Sequence, residues 1–167
     1  MLIRPAHVGD ELDIAKVHVR SWQAAYRGLI PDGYLDGLTA EDRAARYDLA
    51  SADPQKPSTL VAVDDGRIVG FASIMPARDV DLAGQGELCA LYVDPDVWGK
   101  GIGLALVSAA RTRLVEMGFG QASLWVLAGN TRAEQFYRKD GWGADGVQRT
   151  EIIWGLTVEE LRYRRKL

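Results

Sequence analysis

A chain of 167 residues that is 47% hydrophobic is long enough for a full buried core, and it is read as one globular domain over residues 1–167. A net charge of −3 argues against a phosphate-backbone binder, which would carry a basic excess, so no nucleic-acid partner is expected. One cysteine rules out an internal disulfide, and neither a signal-like apolar run nor a membrane-length span is present, so a cytoplasmic protein without membrane contact is expected.

Residues 2–5 are a short apolar start, an edge strand because Pro5 cannot donate to a ladder. Asp10 is placed to cap a helix running to about Tyr26. On it Ile14, Val17, Ser21 and Ala25 recur at helical spacing, as do Ala15, Val19, Trp22 and Tyr26, so Trp22 and Tyr26 share a face. His18, beside that face, reads as a packed or surface histidine before a catalytic one. Residues 28–37, with Pro31-Asp32-Gly33, form a turn region with a short helical piece at 33–38. Thr39 opens T-A-E-D, a capping box with Asp in its third position, ahead of a helix to about Ala50. Residues 51–58 hold two prolines and read as loop. Residues 59–63 and 67–75 are β-rich runs joined by Asp64-Asp65-Gly66, a hairpin signal. A polar, mobile loop is expected at 77–85, then a strand at 86–93.

The next helix keeps Ile102, Leu106, Ala110, Leu114 and Met117 on one stripe, and Gly118 ends it. Residues 122–127 are an apolar strand. Asn130 or Thr131 caps a helix through about Lys139, closed by Gly141. Residues 142–149 and 155–163 read as a last antiparallel pair, and the basic tail 162–167 as a solvated end. The order β-α-α-β-β-β-α-β-α-β-β gives an α/β fold with a mixed, mostly antiparallel central sheet flanked by helices. One parallel pair is expected, between the strands on either side of the helix that starts near Ile102.

The most informative stretch is residues 94–106, D-P-D-V-W-G-K-G-I-G-L-A-L. Gly99, Gly101 and Gly103 alternate between a strand and a helix. Alternating glycines leave main-chain N–H groups uncovered and permit left-handed dihedrals, and the helix start adds its own unpaired donors and positive dipole end. Together they make a pyrophosphate cradle. The nucleoside-triphosphate loop G-x-x-x-x-G-K-[ST] fails, since Asp94 stands five before Gly99 and Gly101 follows Lys100. The dinucleotide fingerprint G-x-G-x-x-G fails at Leu104 or Leu106. What remains, V-x-P-x-x-x-G-x-G-I-G-x-A-L, resembles the acetyl-coenzyme A loop of the GNAT family of N-acetyltransferases. There the loop is written [QR]-x-x-G-x-[GA], with Trp98 here in place of the opening Gln or Arg. A second motif, Asn130-x-x-Ala133-x-x-Phe136-Tyr137-x-x-x-Gly141-Trp142, resembles the family's N-x-x-A-x-x-[FL]-Y-x-x-x-G-F.

The resemblance implies the acyl-CoA N-acyltransferase fold and acetyl transfer from acetyl-CoA to a primary amine of a small molecule or peptide, by direct attack. Under it Trp98, Gly99, Lys100, Gly101, Ile102, Gly103 and Leu104 hold pyrophosphate, while Asn130 and the main chain of Leu91, Tyr92 and Val93 hold pantetheine. Tyr137, a phenol that stays protonated near neutrality, becomes the acid for the leaving thiolate. Glu87 begins a strand whose alternation places Glu87, Cys89, Leu91 and Val93 on one face, and an amine acceptor needs a base, for which Glu87 is the candidate. The resemblance also makes Trp22, Tyr26 and Tyr34 walls of the acceptor pocket, core packing being the other reading of the first two. Cys89 reads as a small buried hydrophobe and not an acyl carrier. No cluster has metal-ligand spacing, so no metal is proposed. Unpaired end strands leave a homodimer open. The rival from another class is a coenzyme-binding sensor of the same fold without turnover.

Overall fold

The computed structural model describes residues 1–167. β1 (Leu2–Pro5) is followed by α1 (Glu11–Ala25), α2 (Asp32–Asp36) and α3 (Ala40–Ala44), then β2 (Ser58–Asp64), β3 (Arg67–Pro76) and β4 (Gly86–Val93). α4 (Ile102–Glu116), β5 (Gln121–Leu127), α5 (Thr131–Lys139), β6 (Gly143–Ile153) and β7 (Leu156–Lys166) complete the chain. The strands form one seven-stranded sheet in the order β1-β2-β3-β4-β5-β7-β6, antiparallel except between β4 and β5. The β2–β3 turn at Asp65 and Gly66 has φ of 47° and 75°, the two left-handed residues that a twisted two-residue hairpin needs.

The larger core lies between one face of the sheet and α4, where Leu106, Ala110 and Leu114 meet Ile74, Leu88, Leu124, Trp142 and Tyr163. Ala133 and Phe136 of α5 pack against its edge. The opposite face carries α1, whose Ile14 and Val17 pack on Val61 and Phe71. The helix stripe and the two strand faces therefore fall where hydrophobic spacing puts them.

Several expectations are corrected. Asp10 does not cap α1 with its side chain; its carboxylate takes Arg4 at 2.7 and 3.1 Å and the His7 N–H at 2.8 Å. Thr39 does cap α3 through the Asp42 N–H, yet the helix stops at Ala44, and Tyr47 and Leu49 turn in to pack beside Phe71. The 77–85 loop is pinned: Asp79 accepts from the Trp125 indole at 3.1 Å and Asp81 takes Arg162 at 2.7 and 2.9 Å. The basic tail is no solvated end, because β7 runs to Lys166 between β5 and β6 and leaves Arg162 only 4% exposed. β6 likewise extends to Ile153, ending in a tight turn at Trp154 and Gly155 with φ of 53° and 78°.

The face expected for β4 is also overturned. Ser73 pairs with Ala90 but Ile74 with Leu88, so Cys89 is an extra residue bulged out of the ladder. Leu88 before the bulge and Leu91 and Val93 after it all pack on the larger core, while Glu87, Ala90 and Tyr92 face α1.

Leu106 is fully buried between α4 and the sheet, whereas Val115 on the same helix is 53% exposed. Leu106→Ala is expected to lower unfolding free energy by about 2–5 kcal/mol and Val115→Ala by less than about 0.5 kcal/mol, read from urea denaturation.

Candidate active site

β4 and β5 pair through only two positions, Gly86↔Ala122 and Glu87↔Ser123, and then part. β4 stays bound to β3 and β5 to β7, so each keeps one satisfied edge and turns the other to the gap. With Asp94 N–H donating to the Val69 carbonyl, ladder alternation directs the main-chain groups of Tyr92 to β3 and those of Leu91 and Val93 to the gap. The Val93 carbonyl is already engaged by Ser21 Oγ at 2.8 Å and Trp98 Nε1 at 2.7 Å. Of the three residues expected to lend their main chain, Leu91 therefore keeps both groups free and Val93 its N–H, while those of Tyr92 belong to the β3 ladder. Trp98 uses its indole to tie the loop to β4, and the Arg132 guanidinium lies 3.5 Å over its ring.

The gap opens into a cleft of about 830 Å³ that runs through the sheet from the glycine loop to α1. Gly99 and Gly101 each sit at φ of 80°, and a Cβ at either would meet nothing within 4 Å, so the space in front of them is open. The first helical hydrogen bond of α4 is Ala105 N–H to the Gly101 carbonyl. From Gly99 through Leu104 no main-chain N–H donates to a protein acceptor. These six consecutive donors meet the positive end of a helix 15 residues long, with no acidic residue in its first turn. Bared amides on an open cleft fit the diphosphate of acetyl-CoA. Lys100 is exposed and its side chain stands outside the cleft lining.

Along the cleft from the loop, Asn130 caps α5, its Oδ1 accepting from the Ala133 N–H at 3.2 Å, which leaves its amide donors facing the lining. Tyr137 packs edge-on to Phe136 and Trp142, and its hydroxyl has no hydrogen-bond partner in the protein. Burial pushes that phenol above its ordinary value, so it keeps its proton. Cys89 donates its thiol to the Ser73 carbonyl at 3.1 Å, and burial pushes it up to about 12, which rules it out as a thiolate nucleophile.

On the α1 side the wall is aromatic. Trp22 stacks on Trp154 at 4.1 Å and meets Tyr26 edge-on at 4.9 Å, and His18 lies 4.5 Å from Tyr92 and 4.6 Å from Trp154. Trp22 Nε1 is buried without a partner. Trp22 and Tyr26 line the cleft as expected; Tyr34 does not, and instead braces the wall from behind by donating to the Trp154 carbonyl at 2.8 Å. Arg43 covers the other face of Trp154 at 3.1 Å, and burial lowers it to about 10. His18 is held neutral, its basicity pulled well below the usual value by burial and then by Arg43.

Glu87 is 2% exposed and clamped by Arg78: Oε1 takes Nη2 at 2.6 Å, and Oε2 takes the Arg78 N–H at 3.1 Å and Nε at 3.2 Å. A second pair with a buried carboxylate, Arg149–Glu160 at 2.9 Å, stands across the gap on β6 and β7. Sequence reading missed Trp154, Arg78, Arg149 and Glu160. Trp154 shows a signal only as a large residue in a tight hairpin turn, Arg149 and Glu160 stand among the many charges of β6 and β7 like any solvated face, and Arg78 sits in a polar loop.

A family model described as acetyltransferase (GNAT) family matches residues 20–142. The chain belongs to the GNAT family. It is 34% identical over 129 residues to the uncharacterized N-acetyltransferase YuaI of Bacillus subtilis, covering 77% of this chain and 72% of that one. It is 38% identical over 106 residues to a mycothiol acetyltransferase of Propionibacterium freudenreichii, covering 63% of this chain but 33% of that protein. Among solved structures it is similar to the PaiA N-acetyltransferase of Thermoplasma acidophilum in complex with coenzyme A, with a TM-score of 0.74 and 22% identity over 99% of this chain and 98% of that one. The protein is thus an acetyl-CoA-dependent acyltransferase. No helix is long and apolar enough to cross a membrane.

Gly101→Val forces a branched side chain into a left-handed position, a strain of about 1–2 kcal/mol, and fills the space in front of the loop. Titration calorimetry is expected to show coenzyme A affinity reduced at least about tenfold. His18 supplies a pH test. The unfolded chain protonates it near pH 6.5 while the folded chain resists, so the unfolded state binds more protons there and stability falls as pH drops below about 6.5. Urea midpoints measured across that range should lose the slope in His18→Gln; an unaltered slope would contradict the assignment.

Proposed function

We propose that this GNAT protein moves the acetyl group of acetyl-CoA to a primary amine on a small molecule or peptide, by direct attack within a ternary complex. The observation that supports this most is the run of six unpartnered N–H groups in the glycine loop, five of whose residues line a cleft whose far wall is aromatic and charged. One end offers donors to a diphosphate and the other offers rings and ion pairs to a second molecule, so two ligands can meet in the gap. Bound acetyl-CoA supplies the thioester.

In this reading Gly99 to Leu104 hold diphosphate through their amides, the Asn130 amide and the main chain of Leu91 hold the pantetheine arm, and Trp98 fixes the loop on β4. The Tyr137 hydroxyl keeps its proton at neutral pH and donates it at the leaving sulfur. Trp22 and Tyr26 wall the acceptor, and Tyr34 keeps Trp154 in that wall. Arg78 with Glu87 closes the apex of the gap. A partnerless phenol and buried carboxylates in one cleft favour turnover over a sensor that only binds coenzyme. The small-molecule acceptor named for one relative makes a small amine the first choice for screening.

Thiol release from acetyl-CoA across a panel of primary amines is the experiment that tests the reading; release independent of every amine would overturn it. Tyr137→Phe is expected to lower kcat by about 10²-fold or more with coenzyme A affinity unchanged. Unchanged turnover would remove the acid role from Tyr137.

A further inference from the structure

The two carboxylates in the cleft differ in what their oxygens are doing. Both oxygens of Glu87 are occupied, one by Arg78 Nη2 and the other by the Arg78 N–H and Nε. Glu160 takes both of its bonds, from Arg149 Nε and Nη2 at 2.9 Å, on Oε1 alone. Its Oε2 has no protein partner and is not sealed from the cleft, which Glu160 lines although the residue is only 6% exposed. Arg149 is itself fixed, with Asp79 and Glu151 at 3.8 Å and the Trp125 ring 4.0 Å beneath its guanidinium, so the orientation of Glu160 is set from behind. Glu160 pairs across β7–β5 with Leu127, beyond the point where β5 has left β4, and thus stands on the open side of the gap.

We infer that Glu160 is the residue that receives the acceptor: its free Oε2 pairs with the substrate ammonium and takes one proton from it. The inference deepens the acetyltransferase reading and rests on it. In the step an N–H bond breaks and an O–H bond forms at Oε2, the electron pair stays on nitrogen, and the proton leaves to solvent through the cleft mouth. The neutral amine is then the nucleophile for the thioester. Burial raises the basicity of Glu160 above that of an ordinary carboxylate, with Arg149 opposing, which suits a proton acceptor better than a fully ion-paired group. Both oxygens of Glu87, by contrast, already accept from Arg78, so an ammonium approaching either one meets a guanidinium of like charge.

The groups facing Glu160 are Arg149 and Glu151 from β6, Arg78 from the loop after β3, Tyr26 from α1 and Tyr92 from β4. Both phenols keep their protons, because burial raises them, and Glu87 beside it holds the Arg78 guanidinium charged. Glu151 is exposed on one side and touches Arg149 only at 3.8 Å. Glu160 is therefore the group whose titration controls the acceptor end.

The test uses the whole chain loaded with coenzyme A, with methylamine as the probe. Side-chain carboxyl carbons are assigned through bonds in the wild-type protein, so no variant has to fold. Methylamine is expected to shift the Glu160 Cδ resonance saturably and further than that of Glu87. A larger shift at Glu87, or none at Glu160 while coenzyme A is bound, overturns the proposal. Failure of coenzyme A to bind overturns the acetyltransferase reading and the proposal with it. In turnover, Glu160→Gln is expected to lower kcat/KM by about 10²- to 10⁴-fold for whichever of spermidine, tyramine or polylysine the wild type uses fastest. The acidic limb of its pH profile should vanish, with Glu160→Asp restoring part of the rate. A loss of rate with the limb intact marks a structural role and contradicts the assignment.

Discussion

β4 and β5 share two residue pairs and then separate, and the site exists because of that separation. Each strand is bound along its outer edge, β4 to β3 and β5 to β7, so neither is free to close the gap. The inner edges carry main-chain donors and acceptors that would cost about 1–3 kcal/mol each if left dry and unpaired. One is dealt with internally, the Val93 carbonyl taken by Ser21 and Trp98. The others, with the six amides of the loop that crosses the end of the gap, are a standing demand for a polar ligand. The proposed ligand, a long thin molecule with a diphosphate at one end, has the groups to meet it.

The two faces of the sheet then divide the work. On the α4 side the chain offers main-chain donors and little side-chain charge, which suits a ligand recognised by shape and by phosphate. On the α1 side it offers stacked rings and two ion pairs in which a buried carboxylate is held by a more exposed guanidinium, Arg78–Glu87 and Arg149–Glu160. Buried ion pairs add little net stability, since desolvation offsets their attraction, but they hold charged groups in fixed directions. Arg162 performs that service between β7 and the loop after β3, reaching Asp79, Asp81 and Asp145 at 2.7–3.3 Å. The apparently floppy polar loop is thereby made part of the wall.

What the sequence made legible follows from the range of the interactions involved. Gly99 and Gly101 could be read because left-handed dihedrals are a local property of the chain, and Gly103 because bare amides at a helix start are local too. The Asn130 cap and the α4 stripe are local in the same way. The face assignment of β4 failed because a bulge at Cys89 leaves no mark in residue type; strict alternation has no way to register one extra residue. The basic tail was misjudged because β7 carries its arginines against carboxylates some 80 residues earlier in the chain, a pairing that only the tertiary fold creates. Helical spacing put Trp22 and Tyr26 on one face, and that face both packs in a core cluster and lines the cleft, whereas Tyr34, from a turn without a period, stands behind Trp154. A carboxylate at the head of an apolar strand drew attention to Glu87, while Glu160, in a strand of alternating charge, gave no such contrast.

The proposed coenzyme site requires diphosphate to dock on the bare main chain from Gly99 to Leu104. Amide proton and nitrogen shifts followed during titration with coenzyme A test it directly. The account predicts that these six amides move furthest, with Ala105, already bonded to Gly101, moving less. Saturable binding of coenzyme A that leaves those six resonances in place would contradict it.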